Sequence, residues 1–303
     1  MKVLLIHQSF VGPGEPGGTR HYEFAKHLVA AKLSVTIIGS SINYLSGRPQ
    51  ATERPDTSGL LDIRRVRTYA SGNKSKGRRL LSFVTFLTAA TFEALRVKRV
   101  NVVVGTSPPL LQGIAAYIAK LWHRCPLIFE IRDLWPEFLI ELGVLRNPFV
   151  IFVARALEAF LYRVADLLIV NSPAYVDYLV ARGVPRERIR LIVNGVDTSA
   201  FNPSDSGAHW RQKLNLGGRF IVTYTGAIGP MNNVGIVLEA ARHLQNAANI
   251  AFVIAGDGAE RPGLETSTRL QHLNNVFFVG TIAKSGIPAL LAASDACVAV
   301  LRP

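Results

Sequence analysis

The feature that most constrains this chain is a repeated alternation. Short apolar runs, each one strand long, are followed by stretches with helical spacing of apolar residues. Runs of this kind stand at residues 2–7, 34–39, 61–66, 101–105, 126–131, 166–170 and 189–193. The pattern resumes at 220–225, 250–255, 276–279 and 296–301. Continuous apolar strands alternating with helices are buried on both faces, which predicts parallel α/β sheets with right-handed crossovers. A polar segment at 202–207 interrupts the series, so two doubly wound domains are expected, residues 1–200 and 201–303.

The opening of the chain is the sharpest local signal. After the first run come Gly12, Pro13, Gly14, Pro16, Gly17 and Gly18. Thr19 follows in the position of a helix N-cap, with Phe24, Ala25, Leu28 and Val29 on one helical face. Strand, glycine loop and helix N-terminus together bring backbone N–H groups close to an anion. The glycine spacing is not that of the dinucleotide fingerprint. Phe220–Thr225 followed by Gly226 and Gly229 repeats the arrangement in the second half, with a helix expected over 231–244.

Charged residues at the carboxyl end of a parallel strand mark ligand sites in open α/β sheets. Arg132 and Asp133 hold that position after the 126–131 run; a surface ion pair between the two, or a helix cap by Asp133, is the plainer alternative. The seven histidines have no ligand-like spacing and no Asp-x-Asp occurs, so no metal or other cofactor is expected. Cys125 and Cys297 sit in apolar sequence and read as buried thiols of a reducing compartment.

The net charge of +13 calls for anionic partners. Basic residues interleaved with aromatic ones would suit nucleic acid, but no such module is present, which argues against that partner. Lys74, Lys76, Arg78 and Arg79 instead lead into a helix at 80–96 that carries Phe83, Phe86 and Phe92. This combination suits contact with an anionic membrane surface, and a core helix behind a solvated loop is the plainer alternative. The first apolar run is too short for a signal peptide, and no run is long enough to span a bilayer. The expectation is a cytoplasmic protein, peripheral on the inner face of the membrane.

Strand–GGTR–helix at the start, VNSPAYVDYLVARGVPRERIRLIVNGVDTSAF in the middle, then YTGAIG, VIAGDGAER and VFFVGTIAKSGIPALLAASDACVAVLRP together resemble the family 4 retaining glycosyltransferases. That family has the GT-B architecture of two facing Rossmann-like domains. The segment IRDLWPEFLIELGVL is similar to a bacterial subgroup that builds surface polysaccharides such as lipopolysaccharide O-antigen, among them N-acetylfucosamine transferases. The resemblance implies a nucleotide-sugar donor and a hydroxyl acceptor, here a lipid-linked saccharide. It places Gly17, Gly18, Gly226, Gly229 and Asn232 by the donor diphosphate and sugar. Gly256, Gly258, Thr281, Ile282 and Lys284 fall by the nucleotide, and Asp133 with Arg132 at the reacting centre.

Two departures from the family pattern matter. Ala227, Ile228, Met231 and Asn232 stand where many relatives carry an Arg and Lys clamp, and Arg132 replaces a common His. The family's Glu-x7-Glu segment does not occur after Arg302 and Pro303, so the second domain and its donor site read as incomplete and the polypeptide is expected to be inactive alone. A two-domain nucleotide-sugar epimerase and a non-catalytic nucleotide-sugar-binding protein are the competing readings.

Overall fold

The computed structural model describes residues 1–302 apart from 13, 16, 45–46, 51–58, 71–75 and 203–205. They form two compact units, Met1–Gly195 and Val196–Pro303. In the first unit the order is β1 (Lys2–His7), α1 (Arg20–Ala30), β2 (Ser34–Ser40), β3 (Leu61–Val66), α2 (Lys76–Arg96), β4 (Val102–Ser107) and α3 (Gln112–His123). It continues with β5 (Leu127–Ile131), α4 (Glu137–Glu141), α5 (Pro148–Val164), β6 (Leu167–Val170), α6 (Pro173–Ala181) and β7 (Ile189–Leu191).

All seven strands are parallel, in the order β3-β2-β1-β4-β5-β6-β7. Period-two alternation sends successive side chains to opposite faces. Leu4 and Ile6 of β1 join the core under α2, α3, α5 and α6, whereas Val3 and Leu5 pack beneath α1. The direction in which strands are added reverses between β1 and β4: β1 leads outward to β2, and β3 returns to β4. Ligand crevices in open α/β sheets lie at the carboxyl ends of strands flanking such a switch point.

Local sequence accounts for the helix ends. Asn147 accepts hydrogen bonds from the Phe149 and Val150 amides, and Pro148 occupies the first turn of α5. Arg124 closes α3 in a left-handed conformation, φ 51°. Thr19 does precede α1, but its side chain makes no capping hydrogen bond to the helix.

The second unit runs α7 (Ala208–Lys213), β8 (Phe220–Thr225), α8 (Gly235–His243), β9 (Ile250–Ala255), α9 (Arg261–Leu270), β10 (Val276–Gly280), α10 (Ile287–Ala292) and β11 (Ala296–Val298). Its four parallel strands have the order β10-β9-β8-β11, so the switch point lies between β8 and β11. One core lies under α8 and α9, and the other gathers Trp210 and Leu290 from α7 and α10.

Three expectations are corrected. The helix expected from 231 begins only at Gly235, because residues 226–234 form the turn after β8. Cys297 is exposed on edge strand β11, and Cys125 is half-buried; both are free thiols. Phe86, expected against lipid, is fully buried in the core beneath α2. The first turn of α2 and its Leu80, Leu81 and Val84 face outward, but the helix turns Phe86, Ala90 and Ala94 onto the sheet at spacings of four.

Candidate functional site

At the switch point of the first sheet, one buried carboxylate organises the carboxyl edge. Glu130 of β5 is 2% exposed, on the sheet face that α1 covers. Arg20 Nε donates to its Oε1 at 2.9 Å, while His21 Nε2 lies 2.5 Å and the Thr106 hydroxyl 3.1 Å from Oε2. Burial pushes the Glu130 carboxyl up, but His21 and Arg20 outweigh it and hold the group at about 2. Burial pushes His21 down against the pull of Glu130; because the Glu130 carboxylate can only accept, the proton between the two sits on His21 Nε2.

Arg20 does more than neutralise Glu130. Its two terminal nitrogens donate to the carbonyls of Ile192 and Val193, at 2.6 and 2.8 Å, and to Asn194 Oδ1 at 3.2 Å. The first residue of α1 thus ties the glycine loop to the segment that ends the first unit at Gly195.

Arg132 Nε donates to the Thr106 hydroxyl, and its terminal nitrogen to the Pro108 carbonyl, both at 3.1 Å. Gln112 accepts from the Gln8 amide and donates to the Thr106 and Pro108 carbonyls, lacing the β1 and β4 loops together. Asp133 follows Arg132, and no side-chain hydrogen bond holds its carboxylate among the described residues. Burial raises its pKa against the pull of Arg132, and its charge in turn adds to the upward shift of Tyr175.

His7 lies beside His21, ring centroids 4.3 Å apart, and burial, followed by the charge of His21, Arg132 and Arg65, drives its pKa well down. Both His7 ring nitrogens, Gln8 Oε1, Ser107 Oγ and Asn171 Oδ1 are buried with no hydrogen-bond partner among the described residues. All four residues end or directly follow strands β1, β4 and β6. Buried polar atoms are nearly always paired, so this edge retains hydrogen-bonding capacity for a ligand.

Gly17 has φ +137°, and a Cβ there would stand 3.1 Å from Val11 and 3.2 Å from the Tyr44 ring. Only glycine fits comfortably under that tyrosine. At Gly18 a Cβ would meet nothing within 4 Å, so this position opens outward.

In the second unit, Gly226, Ala227, Ile228 and Gly229 follow β8 at its switch point. Two backbone bonds dock this loop on the next: Gly226 N to Ala255 O at 3.0 Å and Ile228 N to Asp257 O at 2.9 Å. Gly256, φ +145°, would place a Cβ 1.8 Å from the Gly226 carbonyl oxygen, and Gly258 would place one 2.2 Å from that of Ile228. These two glycines are required by close backbone approach, which positions the 226–229 turn. Asn232 N bonds the Gly229 carbonyl at 2.9 Å. Thr281, Ile282 and Lys284 follow β10, with Arg261 packed over Gly280 at the strand end. Among the described residues no group of three or more His, Cys, Asp and Glu side chains could hold a metal ion.

The structure therefore brings Gly17, Arg132 and Asp133 to one edge of the first unit, and Gly226, Gly229, Asn232, Gly256 and Gly258 to one edge of the second. Of the residues expected against a membrane, Lys74 and the Lys76 side chain lie outside the described residues. Arg78 and Arg79 are exposed and Phe83 is half-buried. Sequence reasoning passed over Arg20, His7, His21 and Glu130. A glutamate inside the apolar run PLIFEI was the available signal, since a charge in a buried strand requires partners.

Two doubly wound units, each with a glycine turn at its switch point, make an α/β protein of the GT-B type. Residues 17–195 match the glycosyl transferase 4-like domain and residues 207–302 match glycosyl transferases group 1, so the chain belongs to this glycosyltransferase family. It is 29% identical over 180 residues to the GDP-mannose-dependent alpha-mannosyltransferase of Mycobacterium tuberculosis (strain CDC 1551 / Oshkosh), covering 58% of this chain and 45% of that protein. To the putative colanic acid biosynthesis glycosyl transferase WcaI of Escherichia coli (strain K12) it is 24% identical over 253 residues, 80% of this chain and 62% of that protein. The crystal structure of Anabaena Alr3699/HepE in complex with UDP and glucose superposes with a TM-score of 0.69 at 21% identity, covering 99% of this chain and 74% of that one. The chain spans about half the length of the curated relatives it matches.

Proposed function

We propose that this protein transfers a sugar from a nucleotide-diphosphate sugar to the hydroxyl of a lipid-linked saccharide, with retention at the anomeric carbon and without a metal ion. The observation that carries the reading is the glycine turn at the switch point of each unit, in a chain whose family match spans both. The relative dependent on GDP-mannose and the fold neighbour bound to UDP and glucose support a nucleotide-sugar donor. The colanic acid relative supports a place in polysaccharide biosynthesis, and we place that work at the cytoplasmic face of the membrane.

In this reading the anomeric C–O bond to the diphosphate breaks while a bond to the acceptor oxygen forms on the same face. The acceptor proton passes to the departing phosphate oxygen. The chain supplies positioning and electrostatics. In the first unit, Gly17 and Gly18 admit the reacting sugar, Arg132 contributes positive charge, and Asp133 receives a hydroxyl of the sugar or acceptor. In the second, Gly226, Gly229 and Asn232 face the diphosphate, and Gly256, Gly258, Thr281, Ile282 and Lys284 line the nucleotide.

The test is a screen of UDP-, GDP- and dTDP-sugars with lipid-linked saccharide acceptors, scored by product linkage and repeated with chelator. Transfer with retained configuration, insensitive to chelator, is expected, and Asp133→Asn should lower kcat by about 10²-fold. Release of an epimerised nucleotide sugar without acceptor, donor binding without turnover, or an inverted linkage would overturn the proposal.

A further inference from the structure

The correction at Phe86 leaves another surface better suited to lipid. Helix α5 packs inward through Leu161 and Tyr162, helped by Leu157. Its outward side carries Phe149, Phe152, Val153 and Phe160, of which Phe149 is 73% and Phe152 69% exposed. Solvent-facing helix positions are normally polar, so an apolar face of this length marks a contact surface. The face continues onto α3: the Phe160 ring meets Tyr117 edge-on at 5.0 Å, and Leu121 lies one turn beyond, next to Trp122, which is 64% exposed.

Charge selects among the possible occupants. The exposed charged residues of α5 are Arg155, which is held in a two-pronged ion pair by Glu137 at 2.9 Å, and Arg163, with Arg146 just before the helix. Its one acid, Glu158, is turned inward and accepts hydrogen bonds from the Tyr162 and Tyr178 hydroxyls. Aromatic residues flanked by arginines suit the headgroup region of an anionic bilayer. A two-fold contact with a second copy would instead bring together two surfaces that both carry Arg146 and Arg163.

Topology fixes where this surface sits. In a parallel β5–α5–β6 crossover the helix starts at the carboxyl edge of the sheet and returns to the amino edge. Phe149 and Phe152, in the first turns of α5, therefore lie toward the edge that carries Arg132 and Asp133, beyond the short helix α4. We propose that the outward face of α5, extended by Leu121 and Trp122, docks on an anionic bilayer with Phe149 and Phe152 among the headgroups. An acceptor held in that bilayer is thereby presented to the Arg132–Asp133 edge. The role of the docking, though not the docking itself, rests on the lipid-linked acceptor proposed above.

Vesicle binding is read without turnover, so the two proposals fail separately. The probe is flotation of the 303-residue chain with phosphatidylcholine vesicles, with and without phosphatidylglycerol. Binding that requires phosphatidylglycerol is expected. The double variant Phe149→Ser, Phe152→Ser should lower the partition coefficient about tenfold or more. Both side chains are exposed, so circular dichroism and melting should be unchanged. Arg78→Glu with Arg79→Glu on α2 should lower the partition coefficient less. Absence of binding to anionic vesicles, wild-type binding by the Phe variant, or a larger loss from the α2 variant would overturn the proposal. So would a wild-type dimer that the Phe variant converts to monomer.

Discussion

Replacing Arg20 by alanine tests the carboxylate network at its most heavily bonded point. The substitution removes the guanidinium from Glu130, which is 2% exposed, and breaks three further hydrogen bonds to residues 192–194. Removing one partner of a buried ion pair costs about 3–5 kcal/mol, because the remaining charge is left desolvated. His21 and Thr106 still hold Glu130, which places the expected loss near the lower end, about 3 kcal/mol. Residues 192–194 are exposed, so water replaces the bonds lost there at about 0.5–1 kcal/mol each. Hydrogen exchange by mass spectrometry, resolved on β1, β5 and 189–195, separates the two effects and avoids averaging over the two units. Arg20→Ala should speed exchange throughout β1 and β5, and at 193–195 by about tenfold or more. Adding Glu130→Gln should recover about 1–2 kcal/mol by removing the stranded charge. Exchange in β5 of Arg20→Ala within about 1 kcal/mol of wild type, or no recovery in the double variant, would refute the argument.

Other expectations follow from the same geometry. His7 is held neutral when folded, so the unfolded chain binds a proton that the folded one refuses. Stability of the first unit should fall as pH drops below about 6.5, by about 1.4 kcal/mol per pH unit, and His7→Gln should reduce that slope in urea titrations. The Glu130 carboxyl is held at about 2, against 4.5 for the free group, so its contribution is complete above 4.5 and is lost as pH falls from there toward 2. Glu130→Gln should flatten the acid limb in that range. Gly256→Ala would force a Cβ against the Gly226 carbonyl at positive φ, costing about 3 kcal/mol or more, visible as faster exchange across β8 and β9.

How much of this was legible in sequence follows from the range of the interactions. Strand–helix alternation is a local property set by burial on two faces of a parallel sheet, and it placed every strand found among the described residues. The glycine turns were legible because they directly follow strands, and strand ends are where such sheets bind ligands. The start of α8 was not, because the 226–234 turn is shaped by its docking on Asp257 and Gly256, residues more than twenty positions away.

The edge that carries Arg132 and Asp133 shows the same division. Arg132 and Asp133 were visible as charges after an apolar strand. The partnership of Arg20, Glu130 and Asn194 spans 174 positions between its ends and exists only because β1, β5 and β7 share one sheet. The outward face of α5 is the clearest case. Its composition reads equally well as core, and Phe86 on α2 reads equally well as surface. Periodicity shows that a helix has two faces, but only the packing of that helix on the sheet decides which face is buried. By itself the sequence determined the two doubly wound units and the positions of their glycine turns. The tertiary structure decided which charges are paired and which aromatic residues face out, because both depend on strand order and helix rotation rather than on neighbouring residues.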